Sequence, residues 1–436
     1  MNDFFCLPFS THPLRDALYD ELHARPFHVI STPQQITHLA FKAEPAELEE
    51  AFNLMCDLCR RYSVNQPARE AVSYLQDFGK FSVRWERHME FYALTIMRPE
   101  LPKDDPFRDP VIELLPGDWL ASLPGQAVAT FHVAVDGGQL SLEQEDLSRY
   151  FEGQKLILSR PKEGRALLVT AFKLHGDGFG RFLLHTPGDS DQQIGRLVQR
   201  VIEIETYRLL AQLSLPVAKR MAPQLADMDQ QLAEILSRTP QINSSEDERE
   251  MLRRLSSMAA HLETCRAETN NRFAATKAYH ELVLSRLNNI REQAVNGHMT
   301  AAEFMSRRLA PGLRTCESVQ RWMEDLSRRI ERAGDMLRTR VNLTLQEQNK
   351  FLLATMNRRS RLQFRLQETV EGLSVVAISY YLVGLLGYFF AGLPLEEWHL
   401  SKKVLMAVSV PLVLILIWRL THHIKHRLIK EPENQE

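Results

Sequence analysis

The stretch from Gly372 to Trp398 reads GLSVVAISYYLVGLLGYFFAGLPLEEW, and its meaning decides what kind of molecule the rest can be. From Leu373 to Leu393, 21 consecutive residues carry no charge. At about 1.5 Å per helical residue such a run spans roughly 30 Å, the hydrocarbon thickness of a bilayer. A second uncharged run, VLMAVSVPLVLILIW (Val404–Trp418), follows closely. It is shorter, but Lys402, Lys403 and Arg419 at its ends can snorkel to the headgroups, and a neighbouring helix tolerates Pro411. The sequence therefore predicts a two-helix transmembrane hairpin over 372–420, with spans at 373–393 and 404–420.

Orientation follows from the flanks. Arg358, Arg359, Arg361 and Arg365 precede the first span, and Arg419, Lys425, Arg427 and Lys430 follow the second. Lysines 402 and 403 of the connecting segment are offset by Glu396 and Glu397. The positive-inside rule then places both termini in the cytoplasm, with a basic tail at 421–436, and Trp398 and Trp418 sit where interfacial aromatics belong. The opening MNDFFCLPFSTHPLRD has neither a basic leader nor a long apolar core, so the expectation is a cytoplasmic body on a multi-pass membrane anchor.

The first span has internal order. Ser374, Ala377, Tyr381, Gly384, Tyr388 and Ala391 recur at alternating spacings of three and four. Small and hydroxylated residues on one helix face allow close approach and hydrogen bonding in lipid. This seam packs either against the second span of the same chain or between identical subunits around a pore. The span holds no Asp, Glu, Lys, Arg or His, which argues against a proton relay or a charged translocation site.

Upstream, Cys316, Val319, Met323, Leu326, Ile330, Ala333 and Leu337 repeat at the same spacing, and the pattern continues less strictly through Val341, Leu345, Leu352, Met356, Leu362, Leu366 and Val370. No proline interrupts 312–393, so one long helix is predicted to enter the first span directly. An earlier helix runs from Leu255 to Ile290, and NGHMT (296–300) offers Gly297 as a stop and Thr300 as the next N-cap. Region 191–371 is thus expected to be a helical stalk, the two long helices forming an antiparallel coiled coil. Its arginines interleave with Glu317, Glu324, Glu331 and Glu347, and the net charge of −2 gives no global bias, so nucleic acid is not an expected partner.

Residues 1–190 read as a mixed α+β cytoplasmic domain with a largely antiparallel sheet. KFSVRWERH and EFYALTIM alternate like strands, and QAVATFHVAV-DGG-QLSL and RALLVTAFKL-HGDG-FGRFLLHT resemble hairpins. Helices are expected over HPLRDALYDELHAR and near 45–62 and 143–151. The glycines of HGDGFG suit a hairpin turn better than a phosphate loop, and G-x-x-x-x-G-K-[ST], G-x-S-x-G and H-E-x-x-H are all absent. The five cysteines are scattered, and Cys56-x-x-Cys59 lacks a second pair, so neither a disulfide framework nor a zinc site is indicated. No catalytic residue and no cofactor is expected. The densest His/Arg/Glu content lies in ELHARPF and RWERHMEFY, so His23, Arg25, Arg84, Glu86 and His88 are the candidates for a ligand or metal pocket.

HPLRDALYDELHARPF near the start and LQFRLQETVEGLSVVAISYYLVGLLGYF near the end together resemble a family of bacterial membrane-anchored proteins known only as a domain of unknown function. That resemblance implies an anchor and supplies no activity. The layout of residues 310–430 is also similar to CorA-type two-transmembrane magnesium channels. Those carry Gly-Met-Asn at the outer end of the first span. Here the matching place reads Gly387-Tyr388-Phe389, so the glycine is kept and the asparagine is not. The resulting expectation is a non-enzymatic, membrane-anchored homo-oligomer whose cytoplasmic domain binds a protein or small ligand. The alternative is a divergent CorA-like cation channel or transporter.

Overall fold

A computed structural model describes residues 10–21, 27–241, 244–391 and 402–429. In chain order its elements are α1 (Arg15–Glu21), β1 (Gln34–Lys42), α2 (Pro45–Arg61), β2 (Ser73–Asp77), β3 (Ser82–Arg87), β4 (Phe91–Arg98), α3 (Gly117–Ala121), β5 (Gln126–Asp136), α4 (Gln144–Tyr150), β6 (Ile157–Arg160), α5 (Pro161–Gly164), β7 (Leu167–Leu174), β8 (Gly180–His185), α6 (Asp191–Gln212), α7 (Ser214–Arg238), α8 (Ser245–Ile290), β9 (Gln293–Ala294), α9 (Ala301–Arg308), α10 (Ala310–Ala391) and α11 (Lys402–Ile429). By contacts the chain divides into two units, 1–334 and 335–436.

The first unit is built on a nine-stranded sheet of order β2-β3-β4-β1-β5-β8-β7-β6-β9. All pairings are antiparallel except β5 with β8. Successive side chains on a strand face opposite sides, so each strand feeds two layers. Ile36 and Ala40 of β1, Phe131 and Val133 of β5, and Phe182 and Leu184 of β8 share one core with Ile194, Leu197 and Val201 of α6 and Val283 and Leu287 of α8. On the other face, Val83, Trp85, Leu94 and Ile96 pack with Leu48, Met55 and Leu58 of α2 and with Trp119 of α3. Farther along that face, α4 contributes Leu147 and Tyr150 over Val169 and Leu183. Each such aliphatic side chain contributes about 1.5–3 kcal/mol by leaving water.

The expected β7–β8 hairpin forms, with Gly178 at φ +80° closing the turn by donating its N–H to His175 O at 2.9 Å. The DGG segment departs from expectation. The Asp136 carboxylate accepts backbone N–H groups from Gly138, Gln139 and Leu140, which turns the chain away from β5 toward α4 instead of into a partner strand. Strand β1, between β4 and the central β5, was not foreseen as a strand. Thr300 does cap α9, accepting from the Glu303 N–H, but α8 stops earlier than Gly297, at Arg291 in the left-handed region.

Helix α7 also enters the helical packing, where only two long helices were foreseen. Its Met221, Leu225, Met228, Leu232 and Ile235 are buried at helical spacing. Ser214 meets Cys316 of α10 (3.2 Å), and Asp229 pairs with Arg329 (2.6 Å). Thr269 of α8 contacts Met323 of α10 at 3.9 Å.

In the second unit, α10 and α11 are long and apolar enough to cross a membrane. Gly387 lies against Met406, so close that an added Cβ would sit 2.7 Å from the Met406 methyl.

Candidate functional site

Arg84 and Glu86 lie two residues apart on β3 and so share one sheet face, the face that α6 covers. Their ion pair is 2.8 Å, and Arg84 is 8% exposed. Register extends this polarity across the sheet. Arg84 pairs with Thr95 of β4, Thr95 with His38 of β1, and His38 with Phe131 of β5. The His38 Nδ1 is 2.9 Å from Thr95 Oγ1, and its Nε2 is 3.1 Å from Thr206 Oγ1 on α6. A line of polar side chains thus runs from α6 through the sheet to the Arg84–Glu86 pair.

Burial of His38, with smaller contributions from His88 and Arg84, lowers its pKa to about 3. The ring is neutral at ordinary pH, and both nitrogens are taken by threonine hydroxyls. One donates and the other accepts, which fits the neutral tautomers.

Beside this line lies a small cavity of about 40 Å³ that opens to solvent. Its polar wall is His28, Arg84, Glu86, Thr95, Gln199 and Glu203, and its apolar wall includes Ile36, Met97 and Val198. Glu203 is held by an ion pair with Arg286 and by the Gln199 amide at 2.9 Å. Burial, and then the Arg84 charge, lowers the His28 pKa. Gly195 of α6 permits the close approach here, because a Cβ at that position would overlap the His28 carbonyl oxygen. Charges lining the pocket are therefore paired, and the arrangement suits recognition of a small polar group. It offers no nucleophile set beside a base.

Of the five candidate residues, the structure brings Arg84 and Glu86 into this pocket. His23 and Arg25 lie outside the described residues. His88 does not line the pocket and stacks on Phe91 with ring centroids 4.0 Å apart. Among the described residues no group of three or more His, Cys, Asp or Glu is placed to hold a metal. The thiols of Cys56 and Cys59 are pushed up by burial, consistent with packing positions on α2. Thr95, Gln199, Glu203 and His28 were not singled out from the sequence. They come from separate elements and form no local motif.

The seam residues Ser374, Ala377, Tyr381, Gly384, Tyr388 and Ala391 are all exposed. They do not face α11, whose buried positions among the described residues are Ser409, Val413 and Ile417.

Neither a curated protein nor a solved structure matches the chain, so the CorA-type resemblance gains no support from comparison. Residues 10–428, nearly all of the sequence, match a family described as "Protein of unknown function (DUF3422)", and the chain belongs to that family.

Proposed function

We propose that this is a non-enzymatic protein of the bacterial inner membrane, a cytoplasmic binding domain on a two-span anchor, working as a homo-oligomer. The observation that carries the reading is the exposure of apolar side chains on α10 and α11. Leu373, Val376, Leu385, Phe389, Leu412 and Leu416 all present more than half of their surface. A patch of that size in water is far beyond what monomeric soluble proteins tolerate, and lipid is the solvent that suits it. The basic flanks support cytoplasmic termini on both sides of the hairpin. The three-and-four spacing of α8 and α10 supports an antiparallel coiled-coil arrangement between them.

The pocket at Arg84 and Glu86 is the site where a small ligand or a partner's polar side chain would be held. Glu86 fixes the Arg84 guanidinium, leaving its outer N–H groups as donors, and Gln199 supplies an amide beside them. The buried, neutral His38 acts as a structural post behind Thr95.

Alkaline carbonate extraction of cell membranes, combined with reporter fusions, tests the anchor. The chain is expected in the membrane pellet, with a periplasmic reporter active only when inserted between the two spans. Release by carbonate, or reporter activity at the C-terminus, would overturn the reading. The second reading, a cation channel, draws on the exposed Tyr381 and Tyr388, and calcium or magnesium flux into liposomes is its test.

A further inference from the structure

An α-helix turns about 100° per residue, so residues of α10 can be sorted by face. Cys316, Val319, Met323, Leu326 and Ile330 lie on one face and are buried. Followed along the same rotation, Val341, Leu345, Leu352, Leu362, Leu366 and Val370 fall within about 60° of that line. Tyr381, Gly384 and Tyr388 fall within it as well. One face therefore persists from the buried section of α10 into its apolar end. The burial stops at Leu337, and from Leu345 onward the aliphatic residues on this face are more than half exposed.

Helix α11 does not fill the gap. The residues of α10 that lose exposure beside it include Ser379, Leu386 and Phe390, which lie about 180° away from the seam.

We infer that this face of α10, from Val341 to Tyr388, is an interface with a second copy of the same chain, running parallel to the first. The inference rests on the anchored reading above. Four observations choose this occupant. The face continues, in phase, one that is already an interior helix contact. The chain's own second apolar helix has taken the opposite side. If the apolar ends share one bilayer, every copy presents the same stripe at the same depth and in the same direction, which sets both polarity and register. The available area also suffices: six aliphatic side chains and two tyrosines can bury on the order of 600–800 Å² per copy, the size of an ordinary stable interface. Among the described residues the phenol groups of Tyr381 and Tyr388 make no hydrogen bond within the chain, so a facing copy supplies the partners that hydrocarbon cannot.

The face is not uniformly apolar. Gln348, Arg359 and Gln363 also lie on it. Polar residues at such positions reduce stability and fix register and copy number. Arg359 facing its counterpart opposes association, which makes the face adjustable.

The test is disulfide or bis-maleimide crosslinking of single-cysteine additions to the full chain in isolated membranes, with the parent chain as control. Leu345→Cys, Leu352→Cys and Leu366→Cys are expected to give covalent dimers. Lys350→Cys, Arg361→Cys and Glu368→Cys, on the far side of the helix, are expected to give none. Arg359→Leu added to Leu352→Cys is expected to raise the dimer yield, and Gly384→Leu to lower it while the chain stays in the membrane fraction. Equal crosslinking on both faces, or none at the seam positions, would overturn the interface while leaving the anchor intact. Loss of the protein from the membrane fraction would instead refute the anchor.

Discussion

His38 gives the sharpest test of the buried polar line. Its pKa falls from 6.5 to about 3 on folding because burial disfavours the charged ring. The unfolded chain therefore binds a proton that the folded chain refuses. Stability is fully present above about pH 6.5 and is lost as pH falls toward 3, at about 1.4 kcal/mol per pH unit for each such histidine. Between pH 7 and pH 5 this one ring should cost about 2 kcal/mol. His132, 1% exposed and lowered by burial to about 4, should cost a similar amount. Together they remove about 4 kcal/mol, a large share of the 5–15 kcal/mol typical of a folded domain. The assay is denaturant unfolding in mild detergent at several pH values, read by the fluorescence of the buried Trp85 and Trp119. His38→Gln keeps a polar partner for the two threonines and has nothing to titrate, so about half of the acid-induced loss should vanish. If the variant and the parent lose the same stability between pH 7 and 5, His38 does not stay neutral in the fold and the reasoning fails.

Two further substitutions probe the pocket. Arg84→Ala removes the guanidinium 2.8 Å from the mostly buried Glu86 carboxylate and should cost about 3 kcal/mol, measured by the same unfolding assay, whereas replacing both partners with apolar residues should recover most of it. Gly195→Ala forces a methyl group into the His28 carbonyl and should cost about 1–3 kcal/mol while changing proteolytic susceptibility near residue 28.

The long helices were readable because a period of three and four runs from Cys316 to Leu337 of α10 and continues less strictly to Val370, and nothing but helix produces it. Strands β3 and β4 were readable for the equivalent reason, in period two. Strand β1 hid because Gln34, Gln35, Thr37 and His38 are all buried, so polar residues occupy positions that a pattern search assigns to solvent. The DGG segment misled because Asp136 caps a local turn through the N–H groups of Gly138, Gln139 and Leu140 and also holds His185, 49 residues away, at 2.7 Å. Arg84 and Glu86 stood out through local density of charge. Their companions Gln199 and Glu203 arrive more than a hundred residues later, and only the fold brings them near.

That distance along the chain has a consequence for biosynthesis. Glu90, at the turn before β4, is gripped by both guanidinium nitrogens of Arg272 (2.7 and 2.9 Å) and by the Tyr279 hydroxyl (2.7 Å), and His38 waits for Thr206. At about 5–20 residues per second, a ribosome delivers Arg272 some 10–40 s after Glu90. Within that interval the sheet face emerges residue by residue, Ile36 already made and Phe131 and then Phe182 added, with no α8 to cover it. The nascent chain must shelter this surface, by chaperone or by provisional contacts, before the apolar tail has been translated at all.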